Sequence, residues 1–115
     1  VENRRIFQLH AELCKMLSNP VRLEILDILR RGEKTVSELV TATSLRQANL
    51  SQHLATMRQR GIVIARKEGA NVYYRIANPK IIQACELIRE VLFEQLAESG
   101  KLIKGGRSPW LKMKG

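Results

Sequence analysis

Apolar residues at Ile6, Leu9, Leu13, Met16 and Leu17 recur at the three-and-four spacing of one helical stripe, with Phe7 and Cys14 beside it. The pattern predicts a first helix over 6–17. Pro20 suits the first position of a second helix and Asn19 can cap it, while Val21, Leu23, Ile25, Leu26, Ile28 and Leu29 run on to Gly32, a natural stop. Such a dense apolar run predicts a short, largely buried helix. Thr35 and Glu38 have the spacing of a capping box, so a third helix of about two turns is expected to start there and to carry Leu39 and Val40. The Thr- and Ser-rich stretch 41–45 has no apolar period and predicts a tight connection, in which Ser44 and Gln47 offer a second capping-box spacing.

From Arg46 to Arg60 the pattern predicts a fourth helix, with Leu50, Leu54 and Met57 on its buried face and Gly61 as its stop. Ser44 is an alternative start. The opposite face holds Ala48, Asn49, Ser51, Gln52, Ala55, Thr56 and Gln59, which are polar or small and carry no charge. Two β-rich runs follow, 62–67 and 72–76, around a turn at Glu68-Gly69-Ala70-Asn71, and they predict a hairpin. Strand alternation assigns Tyr74 to the packed side with Val72 and Ile76, and Tyr73 to the exposed side. Asn78 and Pro79 open a last helix whose apolar stripe, Ile81, Cys85, Ile88, Leu92 and Leu96, is widened by Ile82, Leu87, Val91 and Phe93. That stripe is broader than one face of a small domain needs. Residues 99–115 are rich in Gly and Lys without periodicity, so the expected organisation is a folded domain over 1–98 and a flexible basic tail over 99–115.

Charge adds direction to this picture. The chain has 115 residues and a net charge of +9, and residues 46–80 alone carry seven basic side chains against one acidic. A basic block inside a patterned segment points to a polyanion, most commonly nucleic acid, although a merely basic surface has the same composition. With 44% hydrophobic and 27% charged residues, wholesale disorder is excluded. No apolar run nears the roughly 18 residues of a membrane span, and no signal-peptide core follows the N-terminus, so a cytoplasmic, nucleoid-associated protein is expected.

Helix, short helix, tight turn, helix and hairpin in that order make a winged helix-turn-helix, a mainly α fold with a two-stranded β-hairpin (α-α-α-α-β-β-α). The second helix of such a pair approaches base edges with short uncharged side chains, while flanking cations hold phosphates. Gln47, Ala48, Asn49, Ser51, Gln52 and Thr56 fit the first task. Asn and Gln pair bidentately with adenine, and Ala lets the backbone come close. Arg46, Arg58 and Arg60 at the helix ends, and Arg66, Lys67 and Arg75 on the hairpin with Asn71 and Tyr73, fit the second. A polar helix face by itself is more often only solvated; the neighbouring basic hairpin and short preceding helix shift the balance to contact with double-stranded DNA.

Three motifs in register carry a resemblance. Leu17-Ser18-Asn19-Pro20-Val21-Arg22-Leu23-Glu24-Ile25-Leu26, then Ser51-Gln52-His53-Leu54, then Arg66-Lys67-Glu68-Gly69 with Val72-Tyr73-Tyr74-Arg75, resemble the ArsR/SmtB family of bacterial and archaeal repressors over residues 6–96. The resemblance implies a homodimer built from the first and last helices, a recognition helix that includes Ser51 and His53, a palindromic operator, and derepression when an inducer weakens operator binding.

The chain departs from that pattern where metal-sensing members bind their ions. Their Cys-Val-Cys-Asp-Leu stretch is matched here by Thr35-Val36-Ser37-Glu38-Leu39, and residues 79–98 contain neither His nor Asp, so no metal and no cofactor is expected. Cys14 and Cys85 remain. Both lie on apolar stripes and read first as small core residues. Relatives that bridge a cysteine of the last helix in response to oxidants or sulfane sulfur make this pair a candidate thiol switch; a regulator with no cysteine switch is the alternative. A winged helix used as a protein-interaction module is a further reading. No nucleophile with a base at useful spacing, no phosphate loop and no paired carboxylates point to an enzyme.

Overall fold

The protein is described by a computed structural model for residues 2–100. Its elements are α1 (Glu2–Leu17), α2 (Pro20–Leu29), β1 (Lys34–Thr35), α3 (Val36–Thr43), α4 (Gln47–Gln59), β2 (Val63–Glu68), β3 (Asn71–Ile76) and α5 (Pro79–Glu98). The fold is the expected winged helix-turn-helix. The chain divides into two compact units, residues 1–82 and 83–115; the first holds α1 to the opening turn of α5, and the described part of the second is the rest of α5 with the two residues after it. The tail expected over 99–115 lies, beyond Gly100, outside the described residues.

The core forms where the apolar periods of four elements coincide. Ile25, Leu26 and Leu29 of α2, Leu39 of α3, Leu50, Leu54 and Met57 of α4, and Ile62 and Val63 at the start of β2 are all buried, with Met16 of α1 against them. Burying one such side chain stabilises the fold by about 1.5–3 kcal/mol, so this cluster dominates what fixes α4 in place. Asp27 is also buried, and the Arg30 guanidinium donates to its Oδ1 at 2.9 Å, which offsets the cost of taking a carboxylate out of water.

Local signals set the element ends. The Asn19 carboxamide oxygen accepts from the Val21 and Arg22 amides and caps α2. At α3, the Thr35 hydroxyl accepts from the Glu38 amide while Glu38 Oε1 accepts from the Thr35 amide at 2.8 Å, completing the capping box. Gly61 ends α4 at φ 75°, and the next amide, Ile62, donates to the Met57 carbonyl at 2.9 Å, so the chain turns directly from α4 into β2.

Three expectations need revision. The first helix starts at Glu2 rather than residue 6, because its first turn is polar and leaves no apolar signal. Ser44 does not start α4: it closes α3 in the left-handed region at φ 60°, its amide donating to the Val40 carbonyl, whereas an N-cap needs extended backbone. The extended residue before α4 is Arg46, which makes no side-chain cap, so the Ser44–Gln47 capping box does not form. The sheet also has three strands, not two. Lys34 and Thr35 pair with Tyr74 and Tyr73, giving the order β1-β3-β2.

Candidate nucleic-acid interface

Helix α4 is sharply two-sided. Leu50, Leu54 and Met57 have no solvent exposure, while Arg46, Gln47, Ala48, Asn49, Ser51, Gln52, Ala55 and Arg58 are exposed. The 3.6-residue period alone produces this division, because the buried residues at i, i+4 and i+7 leave the others on the far face. Thr56 is half-buried and its hydroxyl donates back to the Gln52 carbonyl at 3.1 Å, so it serves the helix before any ligand. The outward face is therefore the one formed by Ala48, Asn49, Ser51 and Gln52.

His53 stands on the border between the two faces. It is half-buried, and its Nδ1 accepts a hydrogen bond from Arg22 Nε at 3.2 Å. Burial holds the imidazole pKa below its ordinary value, and the neighbouring Arg22 charge pushes the same way. The Arg22 contact was not legible in the sequence, where Arg22 reads only as part of the α2 motif.

The wing is built by strict alternation. Cross-strand partners Ile64 and Arg75, Arg66 and Tyr73, and Glu68 and Asn71 share one face, and Val63 with Ile76, Ala65 with Tyr74 and Lys67 with Val72 share the other. Lys67 thus stands on the opposite face from Arg66 and Arg75. Tyr74 and Ile76 pack against the core as expected, but Tyr73 is half-buried rather than free, because the Arg66 guanidinium lies 4.6 Å from its ring centroid.

Arg66 is held by two carboxylates although its side chain stays 45% exposed. Its Nε and Nη2 donate to both oxygens of Glu33, at 2.8–3.2 Å, and its Nη1 donates to Glu68 at 2.7 Å. The Arg66 hydrogen bonds lower the Glu33 pKa, and the two carboxylates raise that of Arg66. A guanidinium matched by two carboxylates and an aromatic face ties the wing to the residue before β1. Arg60 is likewise opposite Glu12, at 3.7 Å with both side chains exposed, a contact too open to fix either group. Among the described residues, Arg46, Arg58, Lys67 and Arg75 have no ion-pair partner.

Elsewhere, Cys14 is an exposed free thiol on α1, and Cys85 is a buried one on α5 whose pKa is raised by burial. Among the described residues there is no group of three His, Cys, Asp or Glu side chains able to hold a metal ion, and no helix is long and apolar enough to cross a membrane.

This arrangement has known counterparts. The model of the bacterial regulatory protein arsR family matches residues 19–65, from the α2 cap to the first strand of the wing. The uncharacterized HTH-type transcriptional regulator Rv0081 of Mycobacterium tuberculosis is 35% identical over 99 residues, which cover 85% of this chain and 87% of that one. The chain belongs to the arsR family of bacterial regulatory proteins. A crystal structure of M. tuberculosis Rv0081 superposes with a TM-score of 0.75 at 36% identity, covering 82% of this chain and 95% of the other. A homodimeric winged helix-turn-helix DNA-binding domain, Mb0332 of Mycobacterium bovis, gives a TM-score of 0.74 at 34% identity, covering 84% and 89%. A biofilm growth-associated repressor of Agrobacterium fabrum is 38% identical over 78 residues, 68% of this chain and 67% of the relative. Within this arsR-family frame, α3 and α4 are the helix-turn-helix and β2–β3 the wing.

Proposed function

We propose that the protein is a homodimeric, sequence-specific DNA-binding repressor, acting in the cytoplasm on the nucleoid and released from a palindromic operator by an inducing signal. The observation that carries this reading is the two-sidedness of α4, whose buried Leu50, Leu54 and Met57 present Ala48, Asn49, Ser51 and Gln52 outward as a narrow, uncharged hydrogen-bonding face. Asn49 and Gln52 read bases, Ser51 serves base or phosphate, and Arg46, Arg58, Lys67 and Arg75 anchor the backbone. Because Arg46 caps α4 without a side-chain acceptor, the first-turn amides are also available to a phosphate.

Dimerisation is supported by apolar surface that one copy leaves open. Ile6, Phe7, Leu9 and Leu13 of α1 and Leu87, Ile88, Val91 and Leu92 of α5 are 38–68% exposed. A soluble monomer rarely exposes so many large apolar side chains on two helices. The homodimeric Mb0332 domain and the repressor from Agrobacterium make a second copy and negative control the readings to test first.

For release, burial of Cys85 favours a regulator that is not gated by a Cys14–Cys85 bridge, since a shielded, protonated thiol is a poor nucleophile. Polysulfide or peroxide treatment is then expected to leave operator affinity of wild type and Cys85→Ser alike; a Cys14–Cys85 cross-linked peptide accompanied by loss of binding would reverse that choice.

The main reading is tested by selecting duplexes from genomic DNA and measuring their affinity by fluorescence anisotropy at physiological salt. A selected duplex is expected to bind at least about 1,000-fold more tightly than random DNA, with steep salt dependence. Equal affinity for all duplexes, or none, would point to a protein-interaction module instead.

A further inference from the structure

Three helices meet at one guanidinium. Arg22, near the start of α2, donates from Nη1 to the Met16 carbonyl at 3.2 Å, with Met16 Sδ 3.3 Å away, and from Nε to His53 Nδ1 at 3.2 Å. The Met16 carbonyl lies in the last turn of α1, where helix geometry leaves acceptors without intrahelical donors. Arg22 therefore links the end of α1 to the middle of α4 through two forked bonds that a lysine ammonium cannot reproduce.

The position of His53 gives that link its meaning. It follows Asn49 by four residues and Gln52 by one, and it precedes Leu54 and Met57, so a shift of the α4 backbone against α2 at His53 moves the outward face with it. To accept from Arg22, Nδ1 must carry a lone pair, which makes the ring neutral with its proton on Nε2. An imidazolium has only donors to set against the donors of Arg22, and two like charges 3.2 Å apart repel. Beside Arg22, a hollow is lined by Glu12 and Lys15 of α1, Met16, and Arg60 at the end of α4. Glu12 is already opposite Arg60, and the groups that shift the His53 pKa include no carboxylate that would stabilise the charged ring.

We propose that Arg22 and His53 are a positioning pair for the recognition helix: through the neutral imidazole, Arg22 ties α4 to the end of α1, and protonation of His53 breaks the tie and weakens operator reading. This rests on the proposal that α4 reads DNA, and it separates two roles for His53. As a phosphate contact, a protonated His53 strengthens binding to every duplex, because added positive charge releases more counterions. As a positioning residue, it weakens binding to the operator only. The sign of the pH effect decides between them. The proton is bound more readily when α4 is off the operator, so log affinity falls with falling pH toward a limiting slope of about one proton per protomer.

The experiment measures affinity of the full chain for a selected operator and for a random duplex from pH 8.0 to 5.5 at fixed ionic strength, for wild type, His53→Asn and Arg22→Lys. The Asn amide oxygen occupies the place of Nδ1, accepts from Arg22 and does not titrate. Wild-type operator affinity is expected to fall at least about threefold, with random-duplex affinity unchanged or raised, and this selective fall is expected to vanish in both variants. Operator affinity that rises on acidification, or a fall that persists in His53→Asn, overturns the proposal. Nitrogen-15 NMR of the free wild-type protein provides a readout that does not depend on DNA: an unprotonated Nδ1 at His53 is expected, and a protonated Nδ1 refutes the pair. If no duplex is bound specifically at pH 8.0, the DNA reading fails first and this one with it.

Discussion

Gln52 and Asn49 are exposed on α4 with short, uncharged neighbours, and under the proposed function their side-chain amides discriminate bases by bidentate pairing. Gln52→Ala is expected to lower the preference for operator over random DNA by about 1–3 kcal/mol while leaving random-duplex affinity unchanged, as competition binding would read. The basic residues divide by their partners. Arg75→Ala is expected to reduce the slope of log affinity against log salt by about one, whereas Arg66→Ala, already neutralised by Glu33 and Glu68, is expected to leave the slope nearly unchanged. A loss of about one in slope for Arg66→Ala would return it to the phosphate anchors. None of this division was readable beforehand, because Glu33 lies 33 positions from Arg66 and sequence periodicity carries no information about such pairs. The outward face of α4 was readable, since it follows from the spacing of Leu50, Leu54 and Met57 alone.

Helices with strong periods and caps were fully legible: α2 begins after Asn19 and α3 after Thr35, each with the side-chain bonds its sequence offers. What escaped was set by tertiary pairing or by a single dihedral. Strand β1 is two residues long, too short for any alternation, and exists because β3 has an open edge beside it. Ser44 adopts φ 60°, a conformation that its residue type does not announce. Thr35 serves two elements at once, capping α3 and pairing with Tyr73. Thr35→Ala is therefore expected to destabilise the fold by about 1 kcal/mol in denaturant titration. Ser44→Gly, which removes the left-handed penalty, is expected to be neutral or stabilising by up to about 1 kcal/mol; marked destabilisation would mean that the Ser44 side chain has a role of its own.

A single copy of the chain leaves apolar residues of α1 and α5 in water and, under the proposed function, offers one short helix to DNA, too little for a specific complex. Pairing two copies through those helices answers both shortfalls. Ile88, 67% exposed, tests the link: Ile88→Glu is expected to yield a folded monomer in sedimentation equilibrium and to abolish operator binding at concentrations that saturate wild type. The most direct measurement of the central claim is a hydroxyl-radical and methylation footprint of the wild-type protein on a selected duplex. Two symmetry-related major-groove protections centred about 34 Å apart, one turn of DNA, are predicted, each lost in Gln52→Ala at the base it reads. A single protected groove, protection confined to the minor groove, or protection that does not depend on sequence would contradict the account.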